Sequence, residues 1–238
     1  MSILLFIGIW QIISMTDLPF IPSPQELFKV LVSFSFWSDN LGDFFPTVFR
    51  VIFAFSGAIL LGVPLGLLMG YFSSIYKFLE LPVDFFRALP ATALFPLFML
   101  FFGIGDFSKI ILIIFSCSLV MMVHAASGVR QGLLLRRMAA KTMGANNLQI
   151  FSKVIFFDAL PQIFTGIKIV LSMSIIIVVV LEMFIGSKSG LGKKIYDFHI
   201  TYRIPQMYSV IITVGLISYF LNRLCVFFER HLVHWVGK

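Results

Sequence analysis

Long runs without charged side chains constrain the fold of this chain more than any other feature of its sequence. An α-helix needs roughly 20 apolar residues to cross a lipid bilayer. Charged residues make up 12% of the chain, which is about half of their share in soluble domains. The sequence therefore predicts an all-α, polytopic membrane protein with six transmembrane helices. The predicted spans are residues 1–16, 51–76, 88–105, 110–129, 169–187 and 204–222.

The distribution of basic residues indicates orientation in a bilayer and argues against a nucleic-acid partner. The net charge is +7, but most of the excess lies in residues 130–168, which carry six basic residues and one acid, Asp158. Basic connections between spans are retained on the cytoplasmic side. We therefore expect residues 130–165 to form a cytoplasmic loop, with both chain termini on the same side of the membrane.

The same rule places residues 17–49 on the outer side, because acids outnumber the single lysine there. Ser23 followed by Pro24 and Glu26 is typical of a helix start. We predict an outer connection that contains a short interfacial helix. Residues 188–203 also fall outside, although they carry four basic residues. The whole chain, residues 1–238, is interpreted as a single transmembrane domain.

No catalytic, cofactor-binding or metal-ligating set of residues is predicted. Residues 186–194 look like a phosphate-binding loop, but Ser187 stands where the first glycine of that motif should be. Lys194 stands where its final serine or threonine should be. His231 and His234 have a spacing that occurs in metal sites, and we interpret them instead as residues at the level of the lipid headgroups.

Two polar residues lie inside the predicted spans. Glu182 is an acid in an apolar run, which is costly in a membrane and therefore often functional. It could make a structural hydrogen bond near the outer end of its span, or act in gating or on the solute path. His124 is interpreted as a packing residue, with a proton relay as the less favoured reading.

Prolines and glycines mark special positions in two other spans. Pro90 and Pro96 must break or kink the span at 88–105, and carbonyl groups that lose their partners need a protein interior or a watery path. This favours a helix that lines a pathway. Gly62, Gly66 and Gly70 recur every four residues, which permits close approach of a second helix.

Several motifs together resemble one known family. The pattern of Ala139-Ala140, Gly144, Val154 and Ala159-Leu160-Pro161 resembles the EAA loop of inner-membrane permeases of binding-protein-dependent ABC importers. Four further segments, in the same order, are similar to the sulfonate, taurine and nitrate branch of that family. They are PSPQEL (22–27), GVPLGLLMG (62–70), RALPATALFPLFMLFFGIGDFSKI (87–110) and EMFIGSKSGLGKKI (182–195).

The resemblance implies the MetI-like architecture of type I ABC importer permeases. Two permease copies, a homodimer or a pair of different chains, would form the pore in the bacterial cell inner membrane. A cytoplasmic ATPase dimer would bind ATP, and an extracytoplasmic solute-binding protein would deliver the solute. This chain would then be a transport subunit without a cofactor or enzymatic activity. The implied ATPase-coupling residues are Met138, Ala139, Ala140, Lys141, Gly144, Ala145, Val154 and Pro161; the pathway or gating candidates are Pro90, Pro96 and Glu182.

The chain departs from the family pattern at two places. Met138 stands where the family's loop usually opens with glutamate, and Phe156-Phe157 replaces a Leu-Pro pair. The missing glutamate normally helps to seat the loop by charge pairing. We expect Arg136, Arg137 and Lys141 to be able to supply other contacts to the ATPase.

Two alternative functions stay open at this point. A self-contained secondary transporter would need a network of membrane acids and bases for ion coupling, and only Glu182 and His124 are candidates for one. A non-transporting membrane assembly subunit is the other alternative, since Met138 departs from the family pattern.

Overall fold

The computed structural model describes residues 2–16, 20–132, 134–184 and 187–233. Regular structure in these ranges is helical throughout, and no strand occurs in them. A 3₁₀ turn (Ala91–Leu94) precedes α5, and a π-helical turn (Phe151–Ile155) joins α8 to α9. The helices are α1 (Ser2–Ser14), α2 (Pro24–Val32), α3 (Phe34–Tyr71), α4 (Ser73–Ala88), α5 (Phe95–Phe102), α6 (Asp106–Gln131), α7 (Leu134–Thr142), α8 (Asn147–Ile150), α9 (Phe156–Met183), α10 (Leu191–Ile200) and α11 (Ile204–Leu232).

Four continuous helical segments within the described ranges are long and apolar enough to cross a membrane. They are Phe34–Tyr71, Asp106–Gln131, Asn147–Met183 and Ile204–Leu232. The segment at the N-terminus, α1, is helical as expected, but its 13 residues extend only about 20 Å, against the roughly 30 Å of a bilayer core.

The span predicted at residues 88–105 is not one continuous helix. Helix α4 ends at Ala88, and the chain bends by 92° between α4 and the segment Ala91–Phe102. Pro90 disfavours a helical conformation of the residue before it, and Leu89 is accordingly extended, with φ −75° and ψ 135°. The expected break at this proline is therefore present, and the two helices make one bent element.

Two membrane-spanning helices start at earlier residues in the structure than the sequence predicts. Helix α3 starts at Phe34 rather than at residue 51. The continuous helical segment made of α8, the π-helical turn and α9 starts at Asn147 rather than at residue 169. The charged residues that seemed to end these spans are paired inside the protein. Arg50 is buried and forms an ion pair with Asp106: its Nη2 donates to Oδ2 at 3.0 Å, and its Nε lies 2.9 Å from Oδ1.

Lys168 shows the same effect in α9. Its ammonium group lies 2.9 Å from the carboxylate of Glu229 in α11. A charge that is paired within the protein interrupts a hydropathy pattern without ending a helix. Lys168 therefore belongs to a long helix and not to the basic connection in which its charge was counted.

The short helix predicted after Ser23 is confirmed as α2. The Ser23 hydroxyl accepts a hydrogen bond from the amide of Glu26, and the Glu26 carboxylate accepts one from the amide of Ser23. Pro24 occupies the first turn, where its missing amide hydrogen costs nothing.

The described chain divides into two compact units. The first comprises residues 1–49 and 178–219. Its core is formed by Phe36 of α3, Leu191 and Ile195 of α10, and Val210 of α11, which are all buried. This core holds the amino-terminal half of α10 against its neighbours.

The second unit comprises residues 50–177 and 220–238. Its core contains a cluster on α3, α4 and α6, made up of the buried residues Met69, Val83, Leu119, Met122 and Ala126.

Within this second unit, α3 and α6 approach so closely that side chains are excluded between them. A Cβ atom at Gly66 would lie 2.4 Å from the carbonyl oxygen of Met122, and one at Gly62 would lie 2.6 Å from the Cβ of Met121. The close helix approach predicted from the glycine spacing is confirmed.

Candidate functional site

A rigid turn follows α7 in the segment expected to meet the ATPase. The amide of Ala145 donates to the carbonyl of Ala140, and the amide of Gly144 donates to that of Lys141, both at 3.0 Å. This pair of bonds is the Schellman arrangement of a helix C-terminus. Gly144 has a φ of +84°, a conformation that costs a side-chain-bearing residue roughly 1–2 kcal/mol. Gly144 therefore closes the end of α7 in a conformation that glycine adopts at little cost.

The next helix starts immediately after this turn. The Asn146 side chain accepts from the amide of Gln149 at 2.8 Å, and the Gln149 side chain accepts from the amide of Asn146 at 2.9 Å. The two side chains thus close both ends of one turn, as in a capping box. The chain direction between α7 and α8 is fixed by local hydrogen bonds.

Two of the arginines expected to contact a partner are already engaged within the chain. Arg136 forms an ion pair with Asp158 at the start of α9. Arg137 donates to the carbonyl of Val129 at the end of α6. These bonds tie α7 to its flanking helices. Lys141 is exposed and makes no salt bridge in the described part of the chain. Of the three basic residues, it is therefore the one most available to contact a partner.

The segment presents apolar side chains to its surroundings. Met143 is 86% exposed and Leu148 is 75% exposed, while Leu135 and Met138 are also largely exposed. The other coupling candidates divide by burial. Ala139, Lys141 and Gly144 are exposed, and Ala140, Ala145, Val154 and Pro161 are partly buried. An apolar surface on a rigid, basic segment is suited to docking against another protein.

A second constellation lies around Glu182, in the first unit. Glu182 is 1% exposed and stands next to the last residue of α9. Its carboxylate accepts the Thr47 hydroxyl at 2.8 Å and the amide of Gly192 at 3.0 Å. Thr47 in turn accepts the amide of Leu191 at 2.8 Å. Asp43 accepts the amide of Gly190 at 2.7 Å. We call Asp43, Thr47 and Glu182 the loop anchor.

The loop anchor explains why residues 186–194 look like a phosphate-binding loop. Amides at a helix N-terminus attract negative charge, and here the amides around the start of α10 bind oxygen atoms of the chain itself. Gly190 has a φ of +137°, and a Cβ there would lie 2.4 Å from the Glu182 carboxyl carbon. A Cβ at Gly192 would lie 2.1 Å from the Val179 carbonyl oxygen. Of the two roles left open for Glu182, the geometry favours the structural one.

The remaining polar and proline candidates lie elsewhere. Pro90 and Pro96 flank the 3₁₀ turn at the bend after α4, and both are exposed. His124 lies where α6 meets α9, since a Cβ at Gly166 would lie 2.7 Å from its Cβ. His231 contacts the ring of Phe227, with centroids 4.6 Å apart. His234 lies outside the described residues.

Sequence reasoning missed Thr47, which bonds Glu182, and Asp43, which binds the amide of Gly190 in the same loop. They lie more than 130 positions away along the chain, and nothing in their own neighbourhood marks them. The two closely spaced glycines at 190 and 192 were the available signal. Glycines at such a place indicate that another group approaches the backbone closely.

Comparison with known proteins decides the family. A family profile described as "Binding-protein-dependent transport system inner membrane component" matches residues 62–238. The chain belongs to this family. A probable ABC transporter permease protein of Brucella melitensis is 30% identical over 96% of this chain and 93% of its own length. The taurine transport system permease protein TauC of Escherichia coli is 28% identical over 92% of this chain and 81% of its own.

The fold is also that of a solved transporter. A chain of the MetNI methionine ABC transporter in an inward-facing conformation matches with a TM-score of 0.71. The match covers 84% of this chain and 97% of that one, at 18% identity. The predicted all-α, MetI-like architecture is confirmed, as is the resemblance to the sulfonate, taurine and nitrate branch. The chain is a permease subunit of an ABC importer, which is a transport component and not itself an enzyme.

Proposed function

We propose that this permease forms the translocation path for a small solute, such as a sulfonate, taurine or nitrate, in a bacterial inner membrane. Two permease copies would form the pore, and a separate ATPase dimer would bind and hydrolyse ATP on the cytoplasmic side. An extracytoplasmic solute-binding protein would deliver the solute. Family membership and the likeness to a taurine permease support this proposal.

The coupling role is assigned to residues 130–165, and the exposed apolar surface on α7 and α8 carries that assignment. A surface with Met138, Met143 and Leu148 in contact with water is unfavourable unless a partner covers it. The helix end at Gly144 and the cap at Asn146 hold this surface in one shape. A stiff segment can transmit movement of an ATPase to the helices that follow it.

The orientation follows from that role. Residues 130–165 and both termini lie inside, and residues 17–49 lie outside with α2 at the membrane interface. The excess of basic residues in the coupling segment supports this arrangement. The basic residues of 188–203 oppose it, but Lys194 lies 3.3 Å from Asp43 and Lys193 lies 3.9 Å from Asp197, so part of their charge is compensated locally.

The solute path is assigned to the bend after α4. Pro90 interrupts the helix there, whereas Pro96 lies in the first turn of α5 and breaks no helix, contrary to the expectation for it. A break such as that at Pro90 is tolerated at membrane depth where it lines a cavity. Glu182 contributes indirectly, because it fixes the shape of residues 187–192. A coupling-ion site at Glu182, as a secondary transporter would need, is disfavoured because its carboxylate is bound to Thr47 and Gly192.

The decisive experiment changes Gly144 in the permease reconstituted with its ATPase and binding protein. Gly144→Val should reduce transport and stimulated ATP hydrolysis by about tenfold or more, because valine resists positive φ. Gly144→Asn is the matched control, since asparagine tolerates that conformation. If a Gly144→Val permease inserts normally and transports like the wild type, residues 130–165 are not the coupling element.

Met138→Glu tests the departure from the family pattern. Met138 is exposed on α7, so glutamate can be accommodated without a loss of packing. Stimulated ATP hydrolysis should stay equal or rise in the same reconstituted system. A marked fall would mean that the ATPase surface facing Met138 is adapted to an apolar side chain.

The number of permease copies is a separate question. Native mass spectrometry of the detergent-extracted complex should give two permease chains for each ATPase dimer. Two masses of different permeases would indicate a heterodimer. A single permease chain that transports would contradict the two-copy pore.

A further inference from the structure

An open cavity of about 530 Å³ lies in the first unit, beside α2 and the start of α3. Residues of α10 and the start of α11 complete its wall. The polar residues that matter for its chemistry are Lys29, Asp39, Asn40, Lys194, Arg203 and Gln206. It is separate from the coupling segment and is not part of the loop anchor.

The cavity carries an excess of positive charge. Lys29 and Arg203 make no salt bridge within the described residues, and Arg203 only faces the ring of Phe198 at 5.9 Å. Lys194 is compensated by Asp43 at 3.3 Å. Asp39 is then the one acid left to balance two cations. An anion with one negative charge would neutralise the cavity.

Asn40 adds a second feature that points to a ligand. Its side chain is 4% exposed, and its Nδ2 donates to the carbonyl of Phe36 at 2.6 Å. Its Oδ1 is buried and has no hydrogen-bond partner. Buried polar atoms are rarely left unpaired. A ligand that brings a hydroxyl donor into the cavity would satisfy this oxygen.

Three large apolar side chains that are adjacent in the chain to residues lining the cavity are exposed. Phe34, at the start of α3, is 87% exposed, and Phe28 and Val32 of α2 are also largely exposed. Large apolar side chains beside a cationic cavity match a ligand with a charged head and a long apolar tail. In a membrane protein such a ligand is a lipid.

We propose that this cavity binds the headgroup of phosphatidylglycerol, an anionic phospholipid with free hydroxyl groups. Lys29 and Arg203 bind the phosphodiester, and a glycerol hydroxyl donates to Asn40 Oδ1. The acyl chains lie along Phe28, Val32 and Phe34. The bound lipid would link α2 to the start of α11. The proposal concerns the permease alone and holds whichever solute is imported.

The test is native mass spectrometry of the purified permease complex titrated with lipids of equal chain length. Phosphatidylglycerol should bind several-fold more tightly than phosphatidylcholine, which carries no net charge. It should also bind more tightly than phosphatidylmethanol, an anionic phosphodiester without headgroup hydroxyls. The preference for phosphatidylglycerol over phosphatidylmethanol should vanish in Asn40→Ala, because the oxygen that accepts from the headgroup hydroxyl is then missing.

Charge-removing variants identify the site. The double variant Lys29→Gln/Arg203→Gln should lose the preference for phosphatidylglycerol by about tenfold or more. Lys77→Gln/Lys188→Gln is the matched control, since it removes two exposed lysines outside the cavity. Both residues of the test pair are exposed, so the double variant should fold normally.

Three outcomes would overturn the proposal. The first is equal binding of phosphatidylglycerol and phosphatidylcholine by the wild type. The second is displacement of the lipid by millimolar inorganic phosphate, which would identify a site for free anions. The third is unchanged lipid binding in the Lys29/Arg203 variant with weaker stimulation by the solute-binding protein, which would identify a protein-docking surface.

Discussion

Glu182 is a carboxylate buried among apolar side chains, and it is stable there because hydrogen bonds replace water. The Thr47 hydroxyl and the amide of Gly192 both donate to it. Thr47 also accepts from the amide of Leu191, so one hydroxyl connects α3, α9 and α10. At the residue scale, the geometry of segment 187–192 depends on a few polar atoms, each with a defined role.

Thr47→Val should lower the stability of the permease by about 1–3 kcal/mol, because it removes one hydrogen bond from the buried Glu182 carboxylate and takes away the hydroxyl that accepts from the amide of Leu191. For a chain of this size that is roughly 2–4 °C in Tm per kcal/mol. Thr47→Ser keeps the hydroxyl and should stay close to the wild type. Thermal unfolding in detergent measures both.

Glu182→Gln separates structure from gating. It should be destabilised like Thr47→Val and should lose transport only in proportion to the loss of folded protein. If Glu182→Gln unfolds at the wild-type temperature yet fails to transport, the carboxylate acts on the solute path and the structural interpretation is wrong.

At the scale of elements, charge pairing and proline decide where helices begin and end. The pairs Arg50–Asp106 and Lys168–Glu229 lie within helical structure, so charge-free runs underestimate the length of α3 and α9. Pro90 has the opposite effect, since it splits an apolar run into α4 and a bent continuation. Hydropathy located the apolar segments well, and it located their ends poorly.

The packing of α3 on α6 gives a prediction at this scale. Gly66→Ala should reduce the amount of folded permease and its Tm, because the added methyl group would lie 2.4 Å from the Met122 carbonyl oxygen. Overpacking of this kind typically costs about 1–3 kcal/mol. Gly215→Ala in α11 is the matched control, since its Cβ would meet nothing within 4 Å.

Equal stability of the two alanine variants would mean that α3 and α6 can separate without cost. The comparison is made on detergent-purified protein by thermal unfolding, with expression in the membrane fraction as a second readout. The control also accounts for the gain in helix propensity that accompanies any change from glycine to alanine, because both variants share that gain.

At the scale of the whole molecule, helix packing alone does not determine which side of the membrane each connecting segment faces. Asn147 and Lys188 are both exposed and lie on segments assigned to opposite sides. In a Cys117→Ala/Cys225→Ala background, Lys188→Cys should react with a membrane-impermeant maleimide in cells whose outer membrane is opened. Asn147→Cys should react only after the inner membrane is permeabilised. The reverse pattern would invert the proposed topology.

The sequence by itself determined the class of protein, because the length of an apolar run and the cost of an exposed backbone in lipid leave only helices. It also determined local features whose causes are local, such as the cap at Ser23 and the break at Pro90. Glycine spacing on one helix was enough to predict the close packing of α3.

Only the tertiary structure decided which charges form ion pairs and which amides Glu182, Thr47 and Asp43 bind. Those partners are distant in the chain, and a single sequence does not show which distant residues lie close together in the folded protein. The engagement of Arg136 and Arg137 within the coupling segment was hidden for the same reason. Local features depend on neighbouring residues and can be predicted from them. The ends of the long helices and the loop anchor depend on contacts that form only when the helices pack.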